Sequence, residues 1–283
     1  MRLKHIIEFL DSLYVILYEE FKLYMSKLYS HSSLRRFFSD IYCILQGTDK
    51  LIIEIWSEIR QITFLENFSK TELFDFLGKF EFISIKKGNY IYYVVINKIL
   101  FIIDCIKYLQ FDIKHLSEIL NYSGFETLIK EILSRNNYRS ITNFRFSDKS
   151  KLKMKNSQKR FEIDVIGIYF KYVLIIDAKQ WKRRDTYGLL NRAATKQYNR
   201  MLKLTQNPEV FTKLITTILG EEHNLQKHLP FLLIPIMVTL EDNSIKLNDN
   251  QVPLVSIYEL NSFIDELPNN LNYFKTIQVE NIF

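Results

Sequence analysis

The chain has 283 residues, of which 47% are hydrophobic and 25% charged, the proportions of an ordinary globular protein. This composition excludes a disordered, collagen-like or low-complexity chain, and the length predicts two domains or one domain with a large extension. Glycine is scarce, and neither GxGxxG nor GxxxxGK[ST] occurs, which excludes the usual Gly-rich nucleotide-binding loops. The net charge of +6 permits a nucleic-acid partner without requiring one.

Cysteine and histidine are too scarce for several kinds of site. Cys43 and Cys105 cannot form a disulfide framework, a Cys-type zinc site or an iron–sulfur cluster. We expect them to be buried free thiols in a reducing cytosol. The histidines form no HxxxH or HExxH, which argues against zinc hydrolysis. Charged residues interrupt the most apolar stretch, 90–111, and no secretory signal is evident, so we expect a cytoplasmic protein with no membrane partner.

Residues 1–118 are predicted to form a mainly α-helical N-terminal domain. Apolar residues recur at helical spacing over three stretches: 6–28, 33–45 and 49–64. Within 80–95, the turn signal Lys87-Gly88-Asn89 separates two β-prone runs and predicts a hairpin.

Residues 119–283 are predicted to form a second domain, because the pattern changes near Asn121. An amphipathic helix over 125–133 comes first. The elements that follow are three strands, a helix, two buried strands and a closing helix: 140–146, 160–169, 172–180, 187–204, 231–240, 252–257 and 260–267. The order α-β-β-β-α-β predicts an α/β fold with a mixed sheet flanked by helices.

Charged residues stand inside two otherwise apolar strands of this second domain, at Asp164, Asp177 and Lys179. Burying an unpaired charge costs several kcal/mol, so these charged residues are expected to have a partner or a functional role. If the hairpin turn is Phe170-Lys171, Asp164 lies opposite Asp177 with Cβ atoms about 4.5–5.5 Å apart. A divalent cation would relieve the repulsion between the two carboxylates, and oxygen ligands suit Mg²⁺ or Mn²⁺. The structural alternative is an ion pair between Asp177 and Lys179, which share one face of their strand.

This arrangement resembles the PD-(D/E)XK nuclease superfamily, the restriction-endonuclease-like fold, over about 121–257. The resemblance implies that Asp164 and Asp177 bind the metal, with the backbone carbonyl of Ala178 as a further ligand. It also implies that Lys179 is the catalytic lysine, which orients and activates the attacking water. A metal ion neutralises charge on the scissile phosphate, and the ammonium stabilises the charge that develops there.

The first helix of the second domain extends this resemblance. Gly124-Phe125-Glu126 ahead of an apolar stripe, followed by Asn137-Tyr138, resembles the corresponding helix of Mrr-type restriction enzymes and archaeal Holliday-junction resolvases. The resemblance implies that Glu126 is a catalytic residue. Ser123 and Glu126 also form an S-x-x-E capping-box pattern. The two roles for Glu126 stay open at this point.

Basic residues flank the candidate site along the sequence. They lie between the first two strands, directly after the third strand and on the next helix: Lys149, Lys151, Lys153, Lys155, Lys182, Arg183, Arg184 and Lys196. A single charged run is usually a solvated loop. Two runs that flank a candidate metal site favour contact with nucleic-acid phosphates.

The sequence therefore predicts an Mg²⁺- or Mn²⁺-dependent nuclease that cleaves nucleic acid, with DNA favoured, in defence, repair or recombination. One alternative is a catalytically silent protein of the nuclease fold that binds nucleic acid or protein. Another is an RNA-processing nuclease. The resemblance leaves a homodimer open.

Overall fold

The structure is a computed structural model, and it describes residues 30–55, 59, 62, 65, 68–109, 112–147, 160–180, 187–221 and 225–282. The chain divides into two compact units, 1–111 and 112–283. The boundary predicted between residues 118 and 119 therefore lies inside the second unit. A hydrogen bond from the Gln180 side chain to the Ser117 carbonyl oxygen connects the segment before that boundary to the rest of the second unit.

The described part of the first unit combines helices with a three-stranded antiparallel sheet of order β1-β3-β2. Its elements are α1 (His31–Gln46), β1 (Ile52–Ile55), α2 (Lys70–Leu77), β2 (Ile83–Lys87), β3 (Tyr92–Asn97) and α3 (Lys98–Leu109). Interlocking aromatic rings fill its core: Phe37, Phe38, Phe76, Phe80, Phe82 and Phe101.

Two sequence predictions for the first unit are tested by these elements. The hairpin around Lys87-Gly88-Asn89 is confirmed, because β2 and β3 pair in antiparallel register on either side of it. The helix predicted over 49–64 is wrong where β1 lies, since β1 pairs along its whole length with β3. Long-range pairing outweighs a weak local helical preference there. The helix predicted over 6–28 lies outside the described residues.

The second unit is built around a mixed sheet of order β4-β5-β6-β7-β8, with β9 also paired to β7. Its elements are α4 (Ile113–Ser117), α5 (Tyr122–Arg135), β4 (Arg139–Ser147), β5 (Arg160–Tyr169), β6 (Tyr172–Lys179), α6 (Tyr187–Thr205), α7 (Pro208–Leu219), β7 (Phe231–Thr239), β8 (Leu254–Ser256), α8 (Leu260–Asn270) and β9 (Ile277–Val279). Strands β4, β5 and β6 are antiparallel neighbours, whereas β6, β7 and β8 run parallel. The predicted α/β class, with a mixed sheet flanked by helices, is confirmed.

Helices cover both faces of this sheet. A Cβ placed on Gly167 would approach Leu133 Cδ1 to 2.8 Å, so α5 packs closely on the face of β5 to which Gly167 points. Ile166 and Ile168, which point to the opposite face, belong to a core shared with α6 and α7. The helix residues of that core are Met201, Leu204, Phe211, Leu214, Ile215, Ile218 and Leu219.

Two further expectations concern the cysteines and the membrane. Both cysteines are free thiols, but only Cys105 is buried; Cys43 is exposed on α1, which corrects the expectation of two buried thiols. Within the described ranges, no helix combines the length and apolar character needed to cross a membrane.

Candidate active site

The register of the β5–β6 hairpin brings the two predicted carboxylates together. Tyr169 pairs with Tyr172, and the ladder continues as far as Val165 and Ile176. The turn is therefore Phe170-Lys171, as predicted, with Phe170 at a φ of 49°. Extending this register by one residue sets Asp164 opposite Asp177. At that point the ladder ends, and the Ala178 amide donates instead to Asp164 Oδ2 at 2.8 Å.

The ammonium group of Lys179 lies between the two carboxylates. Its Nζ is 3.0 Å from Asp177 Oδ2 and 3.6 Å from Asp164 Oδ2. Both acids are buried, with 7% of Asp164 and 1% of Asp177 exposed. The three residues that the sequence singled out are thus one contiguous cluster. The ion pair that the sequence offered as an alternative for Asp177 and Lys179 is present as well.

Asp177 has a second cationic partner, Arg200 on α6. Arg200 Nη1 donates to Asp177 Oδ1 at 2.5 Å and to Gln197 Oε1 at 3.1 Å. Gln197 is completely buried, and its side-chain amide donates to the Ile175 carbonyl oxygen on β6 at 2.9 Å. The guanidinium is therefore held against the sheet by groups that cannot move freely.

Asp164 is held by neutral donors. The Tyr122 hydroxyl lies 2.8 Å from Asp164 Oδ2 and 2.9 Å from the Ala178 carbonyl oxygen, and its single proton can serve one of them at a time. Lys179 Nζ also donates to that carbonyl oxygen, at 3.1 Å. Burial and the charge of Asp177 raise the pKa of Asp164 above the usual range of a carboxyl. Burial, followed by the charge of Asp164, raises the pKa of Tyr122.

Glu126 lies near Asp164, on α5. It is 2% exposed, and burial, together with the charge of Asp164, raises its pKa to about 7. The Asn143 side chain forms a hydrogen bond with the Glu126 carboxyl and opposes this rise. The capping-box reading of Glu126 is wrong, because α5 begins at Tyr122 and its N-cap is Asn121, whose side chain accepts from the Gly124 amide.

Asn143 occupies an unusual position on β4. The β4–β5 register pairs Thr142 with Val165 and Phe144 with Ile163, so Asn143 lies opposite Asp164, where no ladder pair forms. Its φ of 56° lies in the left-handed region, which asparagine tolerates better than most residues. From this position on β4, the Asn143 side chain forms its hydrogen bond with the Glu126 carboxyl.

Most of the predicted phosphate-binding residues fall outside the described residues: Lys149, Lys151, Lys153, Lys155, Lys182, Arg183 and Arg184. Lys196 is described, and it is exposed on α6 at the mouth of a cavity that also borders Asp177 and Lys179. Neither Arg200 nor Tyr122 was among the predicted site residues. The four-residue spacing of Arg192, Lys196 and Arg200 is a sequence signal that could have indicated Arg200. A tyrosine at the start of a helix gives no such signal for Tyr122.

The donor set near Asp164 and Asp177 consists of oxygen atoms. Two carboxylates and the Ala178 carbonyl oxygen converge there, which suits a hard divalent cation such as Mg²⁺ or Mn²⁺. In the part of the chain that the structure describes, no three His, Cys, Asp or Glu side chains are grouped closely enough to hold a metal ion. A cation at this position would take the place of the Lys179 ammonium and the Tyr122 hydroxyl between those oxygens.

Comparisons with known proteins give little further information. No protein-family model matches the chain, and no curated protein matches it. The crystal structure of protein VC1899 from Vibrio cholerae is similar over 82% of this chain, with 13% identical residues and a TM-score of 0.32. The chain spans about half the length of that protein, since the match covers 51% of it. A likeness of this size assigns neither a fold family nor an activity.

Proposed function

We propose that the second unit is a divalent-metal-dependent nuclease of the PD-(D/E)XK type, which hydrolyses phosphodiester bonds and takes DNA as its substrate. The observation that carries this proposal is the position of Lys179, whose ammonium contacts two buried carboxylates on adjacent strands. An ion pair alone needs one acid. A lysine shared by two acids, with a third carboxyl near them, Glu126, whose pKa is raised, is the arrangement expected at a catalytic centre.

The order of elements supports the same proposal. Helix α5 is followed by the antiparallel strands β4, β5 and β6, then by α6, and later by β7, which runs parallel to β6. This is the α-β-β-β-α-β order that the resemblance implies for the restriction-endonuclease-like fold. Asp164 and Asp177 lie on its second and third strands, as the motif requires, and we propose that fold for the second unit.

In this proposal each residue of the site has a defined task. Asp164, Asp177 and the Ala178 carbonyl oxygen would hold Mg²⁺ or Mn²⁺, which when bound supplies charge neutralisation and an acidified water. Lys179 would orient that water and offset the negative charge that grows on the phosphate. Glu126 ionises near neutral pH and would accept a proton from the water or join the oxygen ligands.

A second candidate is a catalytically silent protein that binds nucleic acid through the same fold. The observation in its favour is that Arg200 and Lys179 already neutralise Asp177, so the described residues form a balanced network without a metal. The two candidates differ in one measurable property, since only the nuclease requires the carboxylates to bind a divalent cation.

The test uses Asp164→Asn and Asp177→Asn in the full chain. Asparagine is preferred to alanine because Asp177 contacts two cations, and the asparagine side-chain oxygen can still accept a hydrogen bond from them. We expect Mn²⁺- or Mg²⁺-dependent cleavage of single-stranded, duplex or branched DNA by the parent protein and loss of cleavage in both variants. Calorimetry should detect Mn²⁺ binding only in the parent, and thermal melts should verify folding.

Three outcomes would redirect the proposal. Undiminished Mn²⁺ binding in both variants would remove the two aspartates from the metal site. Cleavage of RNA in place of DNA under the same conditions would support the RNA-processing alternative and leave the site assignment intact. DNA binding without metal binding or cleavage would favour the silent protein.

A further inference from the structure

A cationic cavity of about 280 Å³ opens beside Asp177, on the side of the site that faces α6. Four basic side chains line it, from β6 and from three successive turns of α6: Lys179, Arg192, Lys196 and Arg200. Asp177 is the acidic residue among the described lining residues, and Lys179 and Arg200 already contact it. Lys179 also contacts Asp164, so two carboxylates balance Lys179 and Arg200, and the positive charge in excess comes from Arg192 and Lys196.

The spacing of these residues is unfavourable for the helix alone. Arg192, Lys196 and Arg200 follow one another every four residues, so their side chains share one face of α6. Like charges at this spacing destabilise an isolated helix by about 0.2–0.5 kcal/mol per pair. Among the described residues, no carboxylate forms an ion pair with Arg192 or Lys196. An anion in the cavity would relieve this repulsion.

One wall of the cavity is preorganised. The Arg200 guanidinium is fixed by Asp177 and by the buried amide of Gln197, and these contacts use one of its nitrogens. The other N–H groups of the Arg200 guanidinium can still donate hydrogen bonds, and their planar arrangement matches the oxygens of a phosphate. Ala193 also lines the cavity, beside Arg192 and Lys196, and its small side chain leaves room for a ligand against α6.

The cavity fits a phosphate better than a nucleobase. None of the described residues that line the cavity is aromatic, so these residues offer a base no surface for stacking. The volume accommodates a phosphate with the adjoining sugar, and it is slightly below the usual range for ligand pockets, about 300–1,000 Å³. Contacts of this kind position a nucleic acid without reading its sequence.

We propose that this cavity is a phosphate subsite, in which Arg192, Lys196 and Arg200 bind a phosphate of the substrate strand next to the scissile one. The proposal rests on the nuclease function proposed above, because Lys179 borders both the cavity and the paired carboxylates. It adds a substrate-positioning element on α6 that the aspartates and Lys179 do not provide. The phosphate is either an internal one or the terminal 5′-phosphate of a strand.

The test measures DNA binding without cleavage, in EDTA, by the anisotropy of a short oligonucleotide labelled at its 3′ end. We expect Arg192→Gln combined with Lys196→Gln to weaken binding by about ten-fold and to lower the slope of log affinity against log salt by about 1 or more. Lys213→Gln, which removes an exposed charge from α7, is the matched control and should change neither quantity. Equal affinity and equal salt slope for the double variant and the parent would overturn the subsite.

The source of the phosphate is resolved by comparing oligonucleotides with a 5′-phosphate and a 5′-hydroxyl. A preference of the parent for the 5′-phosphate that disappears in the double variant supports a terminal phosphate. Equal binding of both oligonucleotides, weakened alike by the double variant, supports an internal phosphate.

Failure of the subsite and failure of the nuclease assignment are distinguishable. If the subsite alone is wrong, the parent still binds Mn²⁺ and cleaves, while the double variant binds DNA as the parent does. If the nuclease assignment alone is wrong, the parent neither binds Mn²⁺ nor cleaves, while the double variant still loses affinity for DNA.

Discussion

The two carboxylates of the candidate site are held in opposite ways. Asp177 forms ion pairs with two cations, Lys179 from its own strand and Arg200 from α6. Asp164 accepts hydrogen bonds from the neutral Tyr122 hydroxyl and Ala178 amide, and the Lys179 ammonium lies farther from it, at 3.6 Å, than from Asp177, at 3.0 Å. On the α6 side of the site, the carboxylate of Asp177 therefore has two cationic partners. On the α5 side, the carboxylates have less positive charge near them.

This difference indicates where an added cation acts most strongly. On the α5 side, both Asp164 and Glu126 have raised pKa values. Burial and the charge of Asp177 raise the pKa of Asp164, and burial and the charge of Asp164 raise that of Glu126. A divalent cation would oppose both shifts and draw both groups to their ionised forms. On the α6 side the same role is already filled by Arg200, which leaves the adjoining cavity for a phosphate.

Lys179 is the residue that joins the two sides, and its removal should have the largest effect. We expect Lys179→Ala to lower the cleavage rate by about 10²–10³-fold, the range found when one electrostatic stabiliser of a transition state is lost. Substrate affinity should change far less, because the charge that Lys179 offsets grows during attack. Single-turnover rates and metal-free DNA binding measure the two quantities separately.

Two further variants sharpen this result. Lys179→Arg keeps the charge without the compact geometry and should restore little of the rate. Lys213→Ala, on the exposed face of α7, is the control for loss of a lysine elsewhere. Cleavage by Lys179→Ala at the parental rate would reduce Lys179 to an ion-pair partner of Asp177 and would remove the main support for the nuclease.

Glu126 should make the stability of the metal-free protein depend on pH. Its pKa rises from 4.5 to about 7 in the folded state, so the folded protein binds a proton that the unfolded chain releases. Stability should therefore fall as pH rises from about 4.5 to 7, by at most about 3 kcal/mol. Glu126→Gln cannot ionise and should lack this decline, so above pH 7 it should be more stable than the parent.

Urea unfolding in EDTA at a series of pH values measures this difference. Other groups titrate in the same range, Asp164 among them, so the decisive quantity is the variant minus the parent at each pH. Glu266→Gln removes an exposed carboxylate from α8 and should follow the parent. Parallel curves for Glu126→Gln and the parent would mean that Glu126 is ionised throughout and is solvated more than its burial indicates.

The sequence predicts the paired aspartates well because both depend on local patterns. The alternation of β5 and β6 and the Phe170-Lys171 turn determine the register, and the register alone brings Asp164 to Asp177. Helix α7 and strand β9 were not predicted, although Pro208 at the start of α7 is a recognised helix signal.

The residues that complete the site depend on tertiary contacts that no local pattern encodes. Arg200 belongs to a stripe of basic residues, which on most helices is simply a solvated face. Asn143 forms its hydrogen bond with Glu126 from a left-handed backbone position, and an isolated Asn in a strand does not predict that conformation. The S-x-x-E pattern of Ser123 and Glu126 suggested an N-cap at Ser123. The N-cap of α5 is instead Asn121, a competing polar residue nearby in the sequence.

Tyr122 offers the smallest and most specific test of the contrast between the two carboxylates. Its hydroxyl lies between Asp164 Oδ2 and the Ala178 carbonyl oxygen, the two oxygens that would bind a metal on the α5 side. A bound cation must displace it, and a hydrogen bond of this kind contributes about 1 kcal/mol net. At alkaline pH, where protons do not compete, Tyr122→Phe should therefore bind Mn²⁺ up to about five-fold more tightly than the parent. Calorimetric titration measures the change, and Tyr258→Phe, which removes a hydroxyl from an exposed tyrosine, should leave the affinity unaltered.

Weaker Mn²⁺ binding in Tyr122→Phe would instead mean that the hydroxyl orients Asp164 for the metal. The α5 side would then be organised in advance for the cation, as the α6 side is for Asp177, and the contrast between them would disappear.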